Sequence, residues 1–152
     1  MLNTLFPPDT MFEVVPQFPP VTAREVVDFV IVLLIYVAAT PVFIVQVKPP
    51  ADFRLASKRR EADLQLRQRV EDIAPDLKIP ALHDVSAFGT RIAFYKYHLD
   101  SGRLELRNIT PDPDVLTDTA PRGWWSYDIL EQEGAQKFRE VVDEVKTMCQ
   151  QL

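Results

Sequence analysis

The chain has 152 residues, of which 47% are hydrophobic and 26% charged. Those values fit one globular domain, long enough to bury about two-thirds of its unfolded surface. A net charge of -5 excludes a uniformly basic nucleic-acid binder, because affinity for phosphate backbones rests on Lys and Arg, but it permits a local basic surface. A single cysteine, Cys149, excludes an intrachain disulfide and fits a reducing, intracellular setting, cytoplasm or nucleus.

Residues 1–20 form a Pro-rich amino-terminal segment with five prolines, Asp9 and Glu13. It has no basic start followed by an apolar run, so no signal peptide is expected. Within it, Met11 to Gln17 reads as a short strand, ended by Pro19 and Pro20. Arg24 to Pro50 is the most apolar part of the chain. Its segment Phe29 to Val45 has 17 uncharged residues and is followed by Lys48, Arg54, Lys58, Arg59 and Arg60. A membrane-anchored protein spanning at 29–45, with positive-inside flanking, is therefore one reading. The dominance of Val and Ile and the presence of Pro41 favour a buried β-hairpin instead. Its arms would be Val26 to Ile35 and Val42 to Lys48, joined around Tyr36 to Pro41. A pairing centred on Val37 sets Asp28 opposite Gln46. Gln46 and Lys48, two apart, share a face. An acid, an amide and an ammonium then converge at one end of an apolar sheet.

Ala51 to Asp72 reads as a helix, with Leu55, Ala62, Leu66, Val70 and Ile73 at helical spacing and Asp52 as its N-cap. Its outer face is expected to carry Lys58, Arg59, Arg60, Arg67 and Arg69. These either form a solvated face balanced by Glu61, Asp63 and Glu71, or track phosphates. After a loop bracketed by Pro75 and Pro80, Ala81 to Phe88 and the alternating Arg91 to His98 read as strands. Asp100-Ser101-Gly102 signals a turn into a further arm, Leu104 to Ile109. Thr110 to Arg122 is a Pro- and Asp-rich loop. Trp124 to Ile129 is expected as a last strand. Glu131 to Gln150 is a final helix with Phe138, Val141, Val142, Val145 and Met148 as its stripe, and Gly134 weakens its first turn. The order predicts one α/β domain over 1–152, a mixed central β-sheet flanked by helices.

At this point the motifs resemble a known superfamily. DFVIVLLI…PVFIVQVK is similar to the core of the PD-(D/E)XK, or restriction-endonuclease-like, nucleases, where an Asp begins one strand and Glu-x-Lys or Gln-x-Lys lies on the next. FEVVPQF, SKRREADLQLRQR, PALHDVSAFGTRIAFYKY and DTAPRGWWSYDIL resemble a family of fungal proteins, chiefly from basidiomycetes. The resemblance implies a restriction-endonuclease-like three-layer sandwich and Mg²⁺- or Mn²⁺-dependent phosphodiester hydrolysis. It implies Asp28 and Gln46 as metal ligands, and Asp28, Gln46 and Lys48 as the catalytic set. Gln46 stands where Glu is usual, and its carbonyl can coordinate a hard cation without adding charge. The upstream helical acid is not identified; Glu25 and Glu13 are the nearest acids. Nucleic acid would contact Lys58, Arg59, Arg60 and Arg67.

The same residues admit a non-catalytic protein-interaction domain that keeps the fold, to which the acidic stretch from Asp112 to Glu144 is suited. His83 and His98, fifteen residues apart without a nearby Cys, do not make a zinc motif. Trp124 and Trp125 read as plugs at the core's edge rather than as a stacking platform.

Overall fold

A computed structural model describes residues 1–17 and 31–152. The apolar run folds as a hairpin because two consecutive alanines, Ala38 and Ala39, adopt positive φ of 48° and 65°. That geometry closes a two-residue turn whose twist matches the strands it joins. The arms are β2 (Ile31–Val37) and β3 (Thr40–Lys48). Residues 31–37 and 40–45 of the apolar run are thus strands, and among the described residues no helix is long and apolar enough to cross a membrane. The tight turn also corrects the expected register: Gln46 pairs with Val32, not with Asp28. Asp28 and Glu25 lie outside the described residues.

β1 (Phe12–Gln17) pairs antiparallel with the outer edge of β2. After β3 the chain makes one 3₁₀ turn, Pro50–Arg54, and enters α2 (Ala56–Ile73), the helix after the short α1 (Leu2–Leu5). The helix therefore starts later than the sequence suggests, with Leu55 rather than Asp52 at its N-cap. α2 returns the chain so that β4 (Ala81–Phe88) runs parallel to β3. Gly89, at φ 58°, turns β4 into antiparallel β5 (Arg91–His98). The expected later strands shrink to β6 (Arg103–Glu105) and β7 (Tyr127–Asp128), both on β5. The sheet is open and mostly antiparallel, in the order β1-β2-β3-β4-β5-β6. α3 (Gln132–Cys149) closes the described chain.

The helices cover opposite faces. Phe43 and Phe94 point to Phe138 of α3, with ring centroids 6.0 and 6.4 Å away, and Phe6, just after α1, sits 5.9 Å from Phe43. The other face meets α2 and a cluster of Phe53, Phe88 and Trp125, with centroids 5.4 to 6.2 Å apart. Coverage on both sides explains why β3 reads as a continuous apolar run rather than an alternating one.

Two further expectations change. Arg59 and Arg67 do not lie on the outer face of α2. Arg59 falls on the same stripe as Ala62, Leu66 and Val70, and is buried. Gly134 is a requirement rather than a weakness: a Cβ there would overlap the Asp128 carbonyl oxygen. Cys149 is fully buried, and burial pushes its thiol up to about 11.

Candidate functional site

Gln46 and Lys48 project from the α2-facing side of β3, and each is only 3% exposed. The side is fixed by Gln46, whose Nε2 donates to Gln65 Oε1 on α2 at 3.2 Å. Its own Oε1 is buried without a hydrogen-bond partner among the described residues. Lys48 ends the strand, its backbone carbonyl accepting from the Gly89 amide at 3.0 Å.

Parallel pairing carries this polar face across to β4. Ile44 lies beside Asp84, Gln46 beside Ser86 and Lys48 beside Phe88. Asp84 is 1% exposed, and neither carboxyl oxygen has a hydrogen-bond partner among the described residues. Burial pushes its carboxyl well above the usual range, offset in part by Arg69 and the Val85 backbone amide. Ser86 Oγ accepts from Trp125 Nε1 at 3.3 Å.

Next to Asp84 on β5 stands Tyr95, whose hydroxyl donates to Asp63 Oδ1 at 2.9 Å. Asp63 also receives both of its oxygens' bonds from Arg67 Nε, at 3.1 and 2.9 Å. Arg67 Nη2 continues to the Leu106 carbonyl at 2.7 Å. Burial raises the Tyr95 hydroxyl, and the neighbouring Asp63 raises it further. A polar layer thus runs from Lys48 and Gln46 through Ser86 and Asp84 to Tyr95, Asp63 and Arg67, beneath α2.

The unpartnered oxygens bear on whether this layer fits a hard cation. Mg²⁺ and Mn²⁺ take oxygen ligands, and an amide carbonyl or a carboxylate serves. Gln46 Oε1 meets that requirement; Asp28, the other expected ligand, lies outside the described residues.

A second polar cluster occupies the opposite face. His83 Nε2 lies 3.0 Å from Glu144 Oε2, off the line of a well-formed hydrogen bond, and Lys96 Nζ donates to Glu144 Oε1 at 2.6 Å. They line a cleft of about 520 Å³ walled by Phe94, Trp124 and Tyr127. Burial lowers the His83 pKa, opposed by Glu144 and reinforced by Lys96 and Lys137. The two tryptophans divide their roles: Trp125 is fully buried, while Trp124 lines this cleft with Arg67 over its ring.

The expected basic surface separates likewise. Arg59 donates to Ala120 O at 2.9 Å, Phe53 O at 2.8 Å and Asp118 Oδ2 at 2.7 Å, so it ties the 107–121 loop to α2. Arg67 is engaged with Asp63. Arg60 is exposed, and Lys58 is half-buried with Nζ 3.5 Å from Glu61. No protein-family model, curated protein or solved structure matches the chain.

Sequence reasoning missed Asp84, Ser86, Tyr95 and Asp63. A signal for the first two was present. In ALHDVSAF the polar residues at 84 and 86 recur with the period of a strand, which puts them on one face. Asp63 lies one residue past Ala62 on the buried stripe of α2, where an acid requires a partner.

Proposed function

We propose that this chain is a metal-dependent nuclease-like domain of restriction-endonuclease-like architecture. The observation that supports it most is the burial of Gln46 and Lys48 together on the α2-facing side of the central strand β3, with the Gln46 carbonyl oxygen without a donor among the described residues. An antiparallel meander β1-β2-β3, a crossover through α2 and a parallel β4 are compatible with it: Gln46-x-Lys48 lies on β3, and Asp28 precedes β2 in the sequence. In this reading Asp28 and Gln46 hold Mg²⁺ or Mn²⁺. The bound ion would stabilise charge at a scissile phosphate and lower the pKa of an attacking water. Lys48, two residues from Gln46 on the same face, orients that water and carries positive charge toward the phosphate. Val32 beside Gln46 on β2 and Phe88 beside Lys48 on β4, both buried, keep bulk water from this face, which strengthens each electrostatic contact. Of the expected set, Arg60, exposed on α2, is the cation this reading would bring to a nucleic-acid backbone.

A second reading is a protein-interaction domain without catalysis. It draws on the fully exposed Leu116 and the exposed Val115, which sit in a loop carrying Asp112, Asp114 and Asp118.

The test is cleavage of supercoiled plasmid and of labelled single-stranded DNA and RNA in Mn²⁺ or Mg²⁺. Wild-type protein is expected to cut, EDTA to stop it, and Lys48→Met to abolish it while remaining folded. Cleavage that survives Lys48→Met would come from a contaminant and refute the assignment. So would a folded wild type that cuts none of the substrates in either metal.

A further inference from the structure

We propose that Asp84 is a ligand of the same divalent cation as Gln46, so that the ion is held between β3 and β4 beneath α2. The inference rests on the metal-dependent reading above and adds a carboxylate that no motif pointed to.

The argument starts from what surrounds Asp84. Its partner on β3 is Ile44, which offers no polar atom. Its partner on β5 is Tyr95, whose hydroxyl is turned to Asp63 instead. Arg69 acts on it through space and does not hydrogen-bond to it. The Val85 backbone amide lies close enough to favour the carboxylate but not in line for a well-formed bond, so both carboxyl oxygens are buried without a hydrogen-bond partner among the described residues. Buried charges in proteins are paired or bind metals, and a buried polar atom without a partner marks a missing water or ion.

Gln46 is Asp84's diagonal neighbour on the adjacent parallel strand, on the same face, and has the same deficit at Oε1. Diagonal positions in a sheet are about 7–8 Å apart, within joint reach of side chains of this length. The protonated carboxyl that burial favours can donate to an amide carbonyl, whereas an ionised carboxylate and an amide carbonyl are both acceptors and need a shared partner. A cation satisfies both. A donor set of oxygens alone selects a hard ion such as Mg²⁺ or Mn²⁺ over zinc, which favours nitrogen and sulfur. Access does not require α2 to unfold, because Gln65, the side chain bonded to Gln46, is exposed and bridges on to Glu61 at 3.3 Å.

The experiment is calorimetric titration of the full chain with MnCl₂, comparing wild type, Asp84→Asn and the exchange variant Gln46→Glu/Asp84→Asn. Folding of each is verified by a cooperative melt in EDTA. Wild type is expected to bind one Mn²⁺ per chain. Asp84→Asn should weaken binding by at least about tenfold, through loss of a charged ligand. The exchange variant, which keeps one carboxylate and one amide around the ion, should recover to within about threefold of wild type. Wild-type affinity in Asp84→Asn overturns the role of Asp84 and leaves metal binding through other ligands standing. A folded exchange variant that stays as weak as Asp84→Asn overturns the shared ion. A wild type that binds no Mn²⁺ overturns this inference and the metal-dependent reading together.

Discussion

Arg59→Met separates a structural arginine from one that binds phosphate. The substitution keeps most of the aliphatic stem and removes the guanidinium. Arg59 is 3% exposed and donates to two backbone carbonyls and one carboxylate. The Ala120 carbonyl bond is buried, so orphaning that oxygen costs about 1–3 kcal/mol. The bond to Phe53 O is half-buried and contributes about 1 kcal/mol net. Asp118 is 39% exposed, so water recovers most of its interaction and its share stays below about 1 kcal/mol. The expected loss is about 3 kcal/mol, equivalent to roughly 6–12 °C in melting temperature for a chain of this size. Urea denaturation of Arg59→Met beside Arg60→Met measures it, with the exposed Arg60 variant expected within about 0.5 kcal/mol of wild type. The reasoning fails if Arg59→Met is as stable as Arg60→Met. It fails equally if Arg59→Met lowers salt-dependent retention on DNA while leaving the urea midpoint in place, since that would make Arg59 an outward phosphate contact.

Gly134→Ala, which would normally favour a helix, is expected to destabilise by about 3 kcal/mol, because its Cβ meets the backbone of Asp128 rather than a movable side chain; chemical denaturation reads this directly. Replacing Ala38-Ala39 by Asn-Gly should stabilise by about 1 kcal/mol, since both positions have positive φ, and an unchanged denaturation midpoint would argue against the turn. For His83 the folded-state pKa lies below the ordinary 6.5, so the folded protein binds fewer protons than the unfolded chain as pH falls through that region. Its contribution is complete above 6.5 and is lost on acidification through the lowered value. The gap between wild type and His83→Gln should therefore narrow from pH 7.5 to pH 5, and a gap independent of pH would contradict the burial of a neutral imidazole. Tyr95→Phe should cost about 1 kcal/mol and no more, because Arg67 still satisfies Asp63.

The strands from residue 81 to residue 98 and the stripe of α3 were legible because alternation and helical spacing respond directly to burial. The hairpin was legible in kind and wrong in register. The break around Ala-Ala-Thr-Pro is visible, but alanine carries no preference for positive φ, so a tight two-residue turn at 38–39 is not, and the expected centre at Val37 falls one to two residues early. That small displacement removed Val32 from consideration and put Asp28 opposite Gln46. β6 and β7 were over-extended because Leu104 to Ile109 and Trp124 to Ile129 have strand-like composition but face an edge that has room for only three and two paired residues. Charge misled on α2: a run of Lys and Arg looks solvated, yet Arg59 occupies a stripe position and finds carbonyls contributed by residues 53 and 120, which no local pattern connects to it. Asp84 was overlooked for a related reason. It lies 38 residues past Gln46, and only the parallel crossover through α2 brings it into the adjacent strand.

That crossover bears on how strongly such a layer could hold its ion. With Gln46 in place of a glutamate, a cation beside β3 gains no charge from that strand. Lys48 on the same face adds an ammonium, and a divalent ion about 6 Å from a unit positive charge is repelled by roughly 5–6 kcal/mol at an effective dielectric constant near 20. A ligating carboxylate from β4, closer to the ion than the ammonium, would outweigh this repulsion, but desolvating the ion and the carboxylate opposes binding, and a second carboxylate from Asp28 would add to it. A nucleic-acid phosphate would act on both cations at once, screening Lys48 from the ion and supplying oxygen ligands of its own. Metal affinity in this arrangement should thus rise when a phosphodiester is present, and by linkage the nucleic acid should bind more tightly by the same factor when Mn²⁺ is present. Measuring retention of an uncleavable phosphorothioate oligonucleotide with and without Mn²⁺ checks the coupling. Equal retention would mean that ion and phosphate do not meet at this face, whatever either binds alone.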